Sequence, residues 1–155
     1  MKHILVILLM IVICTQAEPS TAAQSSDTQT QVSVAVKESC RFSSSALTLS
    51  FGQLDPSSTS PVQAAVNTQF WCTKGTGATI KSNDGLHYTG NSKRMKHSTA
   101  PEYIPYTLTL KASSLSGGGK NTARELVING FIANSDYVNV RVGNYSDTVE
   151  LRITP

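Results

Sequence analysis

Charged and aromatic residues are both scarce in this sequence. Charged side chains make up 15% of the chain and aromatic ones 6%, and the formal net charge at neutral pH is only +3. So small an excess of positive charge argues against a broad basic surface of the kind that binds nucleic acid or other polyanions. One local run, residues 93–97, is more basic. We interpret it as a solvated loop, with contact to an anionic surface or a sugar acid as the alternative.

Signatures of catalysis and of metal binding are missing as well. The sequence has no G-x-S-x-G, no C-x-x-C and no H-x-x-x-H, which excludes the common serine hydrolase and zinc motifs. Beyond the first residues there are two histidines, His87 and His97, and both are predicted to lie in surface loops. We predict no catalytic residue, no metal and no cofactor. A carboxylate pair of the glycosidase type, which only folding could assemble, stays open as an alternative.

The longest hydrophobic run lies at the amino terminus. Positive charge in residues 1–3 is followed by apolar residues 4–13 and then by small residues at positions 15 and 17. This is the pattern of a secretory signal peptide, and it is too short to span a bilayer. We predict that residues 1–17 are removed, with cleavage after Ala17 or, alternatively, after Ala23. The chain is then exported, and no membrane insertion is expected once the signal is removed.

Only three cysteines are present, and Cys14 falls within the predicted signal peptide. The exported chain therefore keeps an even pair, Cys40 and Cys72. In an oxidising compartment such a pair predicts a disulfide. Cys72 shares a face with Val66 and Phe70 in an alternating pattern, so the bridge is expected to face the core.

After the signal peptide, apolar residues recur with a period of two and never with the helical period of 3.6. Residues 18–31 are rich in Ser, Thr and Gln and are expected to form a flexible N-terminal arm. The alternation begins with Val32, Val34 and Val36, which predict the first strand of the fold. Residues 32–155 are therefore predicted to form one β-sandwich domain.

Further strands are predicted between turn signals. Their alternating segments are residues 47–51, 66–72, 76–82, 106–110, 125–131 and 137–142. Asn83-Asp84-Gly85 is predicted to be a hairpin turn, and residues 87–105 an irregular polar segment. About eight short strands with one disulfide favour an all-β, immunoglobulin-like sandwich.

The carboxyl-terminal strand has no successor in the sequence. It follows a turn segment for which we single out Gly143, Tyr145 and Asp147. Its apolar side chains, which alternate with polar ones, are Val149, Leu151 and Ile153. A last core strand without a neighbour predicts an open sheet edge, which is a template for pairing with another chain. Assembly is therefore favoured over catalysis.

Four short motifs, taken in order, resemble one family. They are Cys40, Phe51-Gly-Gln-Leu-Asp-Pro56, Trp71-Cys-Thr-Lys-Gly75 and Gly143-Asn-Tyr-Ser-Asp-Thr-Val149. In an exported chain with one disulfide, they are similar to the spore coat protein U family, which includes the subunits of archaic chaperone-usher pili. The resemblance extends over the domain from about Val32 onward.

The resemblance implies an incomplete immunoglobulin-like sandwich that is completed by a donor strand from a neighbouring chain. A periplasmic chaperone first lends a strand, and an outer-membrane usher then replaces it with the N-terminal extension of the next subunit. For this chain it implies a structural subunit of an extracellular pilus, exported through the periplasm, that serves adhesion and biofilm formation. The edge beside the missing strand is formed by Val149, Leu151 and Ile153. The donor-strand candidates are Val32, Val34 and Val36.

Two other binding or structural functions remain open at this stage. A self-contained secreted carbohydrate-binding module would use Trp71, Tyr88 and Tyr103 to stack on sugars. Such a module would fold as a stable monomer without its N-terminal arm. A spore or cell coat protein would share the fold without forming a fibre.

Overall fold

The computed structural model describes residues 24–155, and the predicted signal peptide with its two cleavage sites lies outside this range. Within it, the alternating sequence forms eight strands and one short 3-10 helix. In chain order the strands are β1 (Cys40–Phe42), β2 (Val62–Cys72), β3 (Thr79–Ser82), β4 (Lys93–His97), β5 (Tyr103–Ala112), β6 (Arg124–Ile132), β7 (Tyr145–Ser146) and β8 (Leu151–Thr154). The 3-10 helix spans Asn134–Asp136 and follows β6.

The strands form two antiparallel sheets that pack face to face. The larger sheet has the order β1-β2-β6-β5-β4-β7, and the smaller one pairs β3 with β8. Ile80 and Leu151 of the small sheet pack against a cluster that contains buried Phe70 and Leu126 of the large sheet. The predicted all-β sandwich is confirmed. It is incomplete, because two strands cover only part of a six-stranded sheet.

A disulfide joins β1 to its neighbour β2 in the large sheet. Cys40 and Cys72 are bonded to each other and are direct cross-strand neighbours. Cys72 is fully buried in the core cluster. The predicted disulfide and its inward position are confirmed.

The first predicted strand is absent from the structure. Residues 24–39 contain no strand, and the side chains of Val32, Val34 and Val36 are 89%, 91% and 79% exposed. The prediction that these valines form a strand of their own fold is therefore wrong. The physical reason is that a strand needs a hydrogen-bonding partner, and residues 24–39 pair with no strand in the part of the chain that the structure describes.

Two other alternating segments also fail to form strands. Residues 137–142 run through turns after the 3-10 helix, and buried Tyr137 donates a hydrogen bond from its hydroxyl to the carbonyl of Ser60, 2.8 Å away. Val142 is left 94% exposed. Residues 47–51 have no strand partner among the described residues, although Leu49 and Phe51 pack against the core.

The region from 83 to 105 also differs from its prediction. The segment Asn83-Asp84-Gly85 is not a hairpin turn, because β3 pairs with β8 whereas β4 pairs with β5 and β7. The chain crosses from the small sheet to the large one at this point. The residues predicted to be irregular contain β4, which the run of polar side chains concealed. His97 at the end of β4 is only 5% exposed, so its prediction as a surface loop residue is wrong.

Candidate functional site

An open groove of about 970 Å³ runs between the two sheets. Residues 47–54 form one wall and residues 143–151 form the other. The floor consists of inward side chains of the large sheet: Val66, Met95, Ile104, Tyr106, Leu108 and Ile128. Ile104 and Tyr106 belong to one buried cluster and Ile128 to the other, so the groove opens directly onto the core.

The wall formed by β8 and the residues before it carries unpaired backbone groups. Glu150 directs its carbonyl to the N–H of Asn83 and its N–H to the Asn83 side chain, both at 2.9 Å. Successive residues of a strand point their backbone groups to alternate sides. Val149 and Leu151 therefore direct their N–H and C=O groups away from β3, towards the groove. Among the described residues, β8 has β3 as its one strand partner.

The three apolar residues singled out in this last segment do not all occupy equivalent places. Val149 and Leu151 line the groove, and both are half-buried. Ile153 packs against the core cluster that contains Phe70. The predicted alternation is present in the structure, with Glu150 and Arg152 exposed on the other side.

The opposite wall is held close to the floor by a glycine. A Cβ atom on Gly130 of β6 would lie 2.6 Å from the Phe51 ring and 2.9 Å from Leu49. Only glycine at this position lets both side chains rest on the sheet. The wall is thus kept in place by packing and not by strand pairing.

Asp147 fastens the other wall to the floor and to the crossover between the sheets. Its carboxylate accepts a hydrogen bond from the Tyr106 hydroxyl at 2.6 Å and another from the Leu86 N–H at 2.9 Å. Burial, and then the hydrogen bond to Asp147, raise the pKa of Tyr106 above its ordinary value. Tyr106 therefore stays a neutral donor, and the carboxylate keeps its partner.

Gly143 lies against the buried imidazole of His97. Its φ is +148°, and a Cβ there would be 2.2 Å from His97 Nε2. The His97 ring contacts the carbonyl of Val142 through Nε2 at 3.1 Å, and Nδ1 accepts hydrogen bonds from the N–H groups of Thr99 and Ala100 at 3.0 Å each. Nδ1 is therefore unprotonated, and Nε2 is the donor to Val142. Sequence reasoning missed this role, because nothing near His97 in the sequence indicates its partners.

Tyr145 lines the same wall of the groove as Gly143 and packs against His97. Its ring stacks edge-on against His97 with centroids 5.0 Å apart, and its hydroxyl donates to the Arg141 carbonyl at 2.8 Å. Arg141 in turn donates from its backbone N–H and its Nε to the Glu102 carboxylate. These two hydrogen bonds lower the pKa of Glu102. Gly143, Tyr145 and Asp147 thus lie in one wall of the groove.

The root of the N-terminal arm is fixed at a separate place. Thr73, directly after β2, accepts a hydrogen bond from the N–H of Ser39 and donates to the carbonyl of Lys37. Neither Lys37, Ser39 nor Thr73 lines the groove. Val36 therefore immediately precedes a pinned residue, Lys37.

Trp71 and Tyr103, two of the aromatic residues considered for sugar stacking, are not brought together. Trp71 pairs with Arg41 near one end of the large sheet, while Tyr103 begins β5 at the other end. Ala112 at the far end of β5 is linked through Leu126 to β2 near Trp71. The ten residues from Tyr103 to Ala112 span roughly 30 Å in a strand. One sugar ring cannot contact both aromatic residues.

A metal-binding cluster and a membrane-spanning helix are both absent from residues 24–155, the part of the chain that the structure describes. No three His, Cys, Asp or Glu side chains there lie close enough together to hold a metal ion. The same residues include no helix with the length and apolar character needed to cross a membrane.

One solved structure is similar to this chain at low identity. It is the crystal structure of the CsuC-CsuE chaperone-tip adhesion subunit pre-assembly complex from archaic chaperone-usher Csu pili of Acinetobacter baumannii. The similarity has 22% sequence identity and a TM-score of 0.47, and it covers 76% of this chain but 40% of the matched chain. This chain thus spans well under half of that longer chain.

A wider comparison places the sequence in a family. No curated protein matches the chain. The sequence profile of the Spore Coat Protein U domain matches residues 26–152, which is most of the chain and all of the sandwich except its last residues. This chain belongs to the Spore Coat Protein U domain family.

Proposed function

We propose that this protein is a structural subunit of an extracellular pilus, assembled by a periplasmic chaperone and an outer-membrane usher through donor-strand exchange. The observation that carries the proposal is the groove, in which the unpaired backbone of Val149 and Leu151 lies directly above an apolar floor. An inserted strand would satisfy those backbone groups and place alternate side chains on the floor. Membership of the Spore Coat Protein U domain family supports the same function.

The donor strand is the N-terminal arm of another subunit. Val32, Val34 and Val36 are apolar at every second position, and all three are almost fully exposed in the isolated chain. Their spacing matches the pleat of a strand whose one face is buried. Ser33 and Ala35, on the other face, would look outward from the completed sandwich.

The short tether of the arm favours exchange between molecules. Val36 is bonded directly to pinned Lys37, and Val32 is five residues away, a reach of at most about 18 Å. The pinned residues do not line the groove of their own chain. Insertion into a second copy is a head-to-tail contact that does not close, and such contacts build fibres.

A fibre of this kind serves adhesion and biofilm formation at the cell surface. The subunit is exported through the periplasm, where the chaperone occupies the groove until the usher delivers the next arm. Other subunits of the same pilus, of this or another sequence, are the permanent partners. No catalytic role is assigned to any residue.

The test compares protein recovered from the surface of producing cells on denaturing gels, with and without boiling. Wild type is expected to give a ladder that resists detergent and collapses on boiling. Replacing Val32, Val34 and Val36 together by Asp should abolish the ladder, because three carboxylates cannot be buried on the apolar floor. The matched control, Ser33→Asp with Ala35→Asp, places charge on the outward face and should retain it.

Two results would contradict the proposal. A single monomer band from wild type without boiling would mean that no exchange occurs, and the secreted binding module would become the better hypothesis. A ladder that persists in the triple variant would show that the donor is not this segment.

A further inference from the structure

The outer face of the hairpin formed by β4 and β5 carries two cations and a tyrosine side by side. In β4, Met95 lines the groove and His97 is buried, so Arg94 and Lys96 point to the opposite, outer face. Lys96 lies directly across from Tyr103 of β5. The basic run of residues 93–97, which the sequence suggested to be a solvated loop, is thus strand β4 of the large sheet.

Arg94 is held in one orientation. Its guanidinium carbon lies 4.1 Å from the centre of the Tyr103 ring, and its Nε donates to the carbonyl of His87 at 2.9 Å. The His87 ring supports the arrangement edge-on, with its centroid 6.1 Å from that of Tyr103. Among residues 24–155, the two terminal guanidinium nitrogens have no hydrogen-bond partner. They are donors already oriented for an external acceptor.

The charge of this pair is not neutralised within the described chain. The ion pairs of residues 24–155 are Lys93 with Asp84 and Arg141 with Glu102. Arg94 and Lys96 have no carboxylate within salt-bridge distance. Two like charges on neighbouring positions of one face repel each other, so their placement costs the fold some stability and suits an incoming anion.

The chemistry of this face selects an acidic polysaccharide. A fixed guanidinium binds carboxylate or sulfate through two parallel hydrogen bonds. The partly exposed Tyr103 ring beside the two cations adds an aromatic surface of the kind that packs on sugar rings. The residues lie on an open sheet surface and outside the groove, which fits an extended polymer better than an enclosed small molecule.

We propose that Arg94, Lys96 and Tyr103 form a binding surface for acidic polysaccharides carrying carboxylate or sulfate groups. A single site of two cations binds weakly. The proposed pilus repeats it along the fibre, and this part of the inference rests on the proposed function, because repetition raises the strength of attachment through multivalency.

The test uses the purified full-length exported chain in monomeric form, so that its result does not depend on fibre assembly. Binding is measured to immobilised polygalacturonate and heparin, with neutral dextran, vesicles containing phosphatidylglycerol, and duplex DNA as alternative probes. Wild type is expected to bind both acidic polysaccharides, more weakly as salt rises, and to leave dextran unbound. Arg94→Gln with Lys96→Gln should weaken this binding at least tenfold.

The matched control removes two exposed cations elsewhere, Lys81→Gln with Lys111→Gln, and should change binding less than threefold. Arg94→Lys keeps the positive charge but loses the planar guanidinium group, so its binding to the acidic polysaccharides should be weaker than that of wild type and stronger than that of the double variant. Thermal melts verify that each variant is folded.

Three results would overturn the proposal. They are an equal loss of polysaccharide binding in the two double variants, no binding by wild type, or equally strong binding of wild type to vesicles or DNA. A pilus ladder that forms normally in the Arg94 and Lys96 variant would leave the proposed function standing.

Discussion

Gly143 is the residue at which a backbone constraint and a packing constraint coincide. Its φ of +148° is rarely adopted by residues with side chains, and His97 occupies the space that a Cβ would need. Gly52, in the opposite wall, also has a positive φ, but a Cβ placed on it would have no atom within 4 Å. Substitutions at the two glycines therefore allow the free-energy cost of the backbone conformation to be separated from the cost of a steric clash with His97.

We predict that Gly143→Ala lowers the free energy of unfolding more than Gly52→Ala does. The Gly52 substitution should cost about 1 to 2 kcal/mol for its conformation alone. The Gly143 substitution should cost about 1 to 3 kcal/mol more, because the His97 ring must move. Urea unfolding of the two monomeric variants measures the difference. Equal losses would show that the contact with His97 is easily relieved.

Tyr106→Phe is predicted to destabilise the monomer by about 1 to 3 kcal/mol, since it leaves the Asp147 carboxylate without its hydroxyl donor. The effect depends on pH in a defined direction. The pKa of Tyr106 is raised in the folded protein, so its contribution is complete below the ordinary tyrosine pKa of about 10 and is lost as pH rises above it. The gap between wild type and variant, measured by urea unfolding, should narrow above pH 10. A gap independent of pH would contradict this explanation.

At the scale of elements, sequence periodicity correctly predicted three strands that each have a neighbouring strand on both sides in the large sheet. The predicted segments around Phe70, Leu108 and Ile128 lie within β2, β5 and β6, which form the middle of the large sheet. Their burial alternates cleanly, so the pattern of apolar residues was sufficient there.

Periodicity failed where a segment had alternation but no partner. Val32 and Val34 have the same pattern as Val66, yet only Val66 has a neighbouring strand in the described chain. In β4, the alternation of Met95 and His97 was hidden because both of its faces carry polar side chains. The site was partly predictable, since the open last strand followed from the sequence. Its floor, His97 and the role of Gly130 depend on pairings that no local pattern encodes.

The disulfide is predicted to be the main attachment of β1 to the sandwich. β1 is only three residues long, and its bond to β2 closes a loop between residues 32 positions apart. Replacing Cys40 and Cys72 together by Ala should cost about 3 kcal/mol, mainly by freeing the unfolded chain. Urea unfolding of this variant, beside wild type with and without reductant, measures the loss. Unchanged stability on reduction would mean that packing alone holds β1.

At the scale of the whole molecule, an unfilled groove should leave the monomer well below its attainable stability. We predict that a peptide of residues 30–38 raises the melting temperature of the monomeric chain in a concentration-dependent way. At 100 times its Kd, such a ligand adds about 2.7 kcal/mol. The control peptide carries Asp at positions 32, 34 and 36 and should have no effect. Equal shifts with both peptides would show that binding is unrelated to the apolar floor.

The pinned root of the arm has a mechanical consequence. In a fibre joined as proposed, tension between neighbouring subunits enters each domain at Lys37 and reaches Cys40 three residues later. The covalent bridge then passes the load to Cys72 in the second strand of the large sheet, so β1 is not peeled away one hydrogen bond at a time. With a single peptide link between the inserted Val36 and the pinned residue, each joint has almost no slack. Such a fibre would therefore transmit tension along its length with little extension at the joints between subunits.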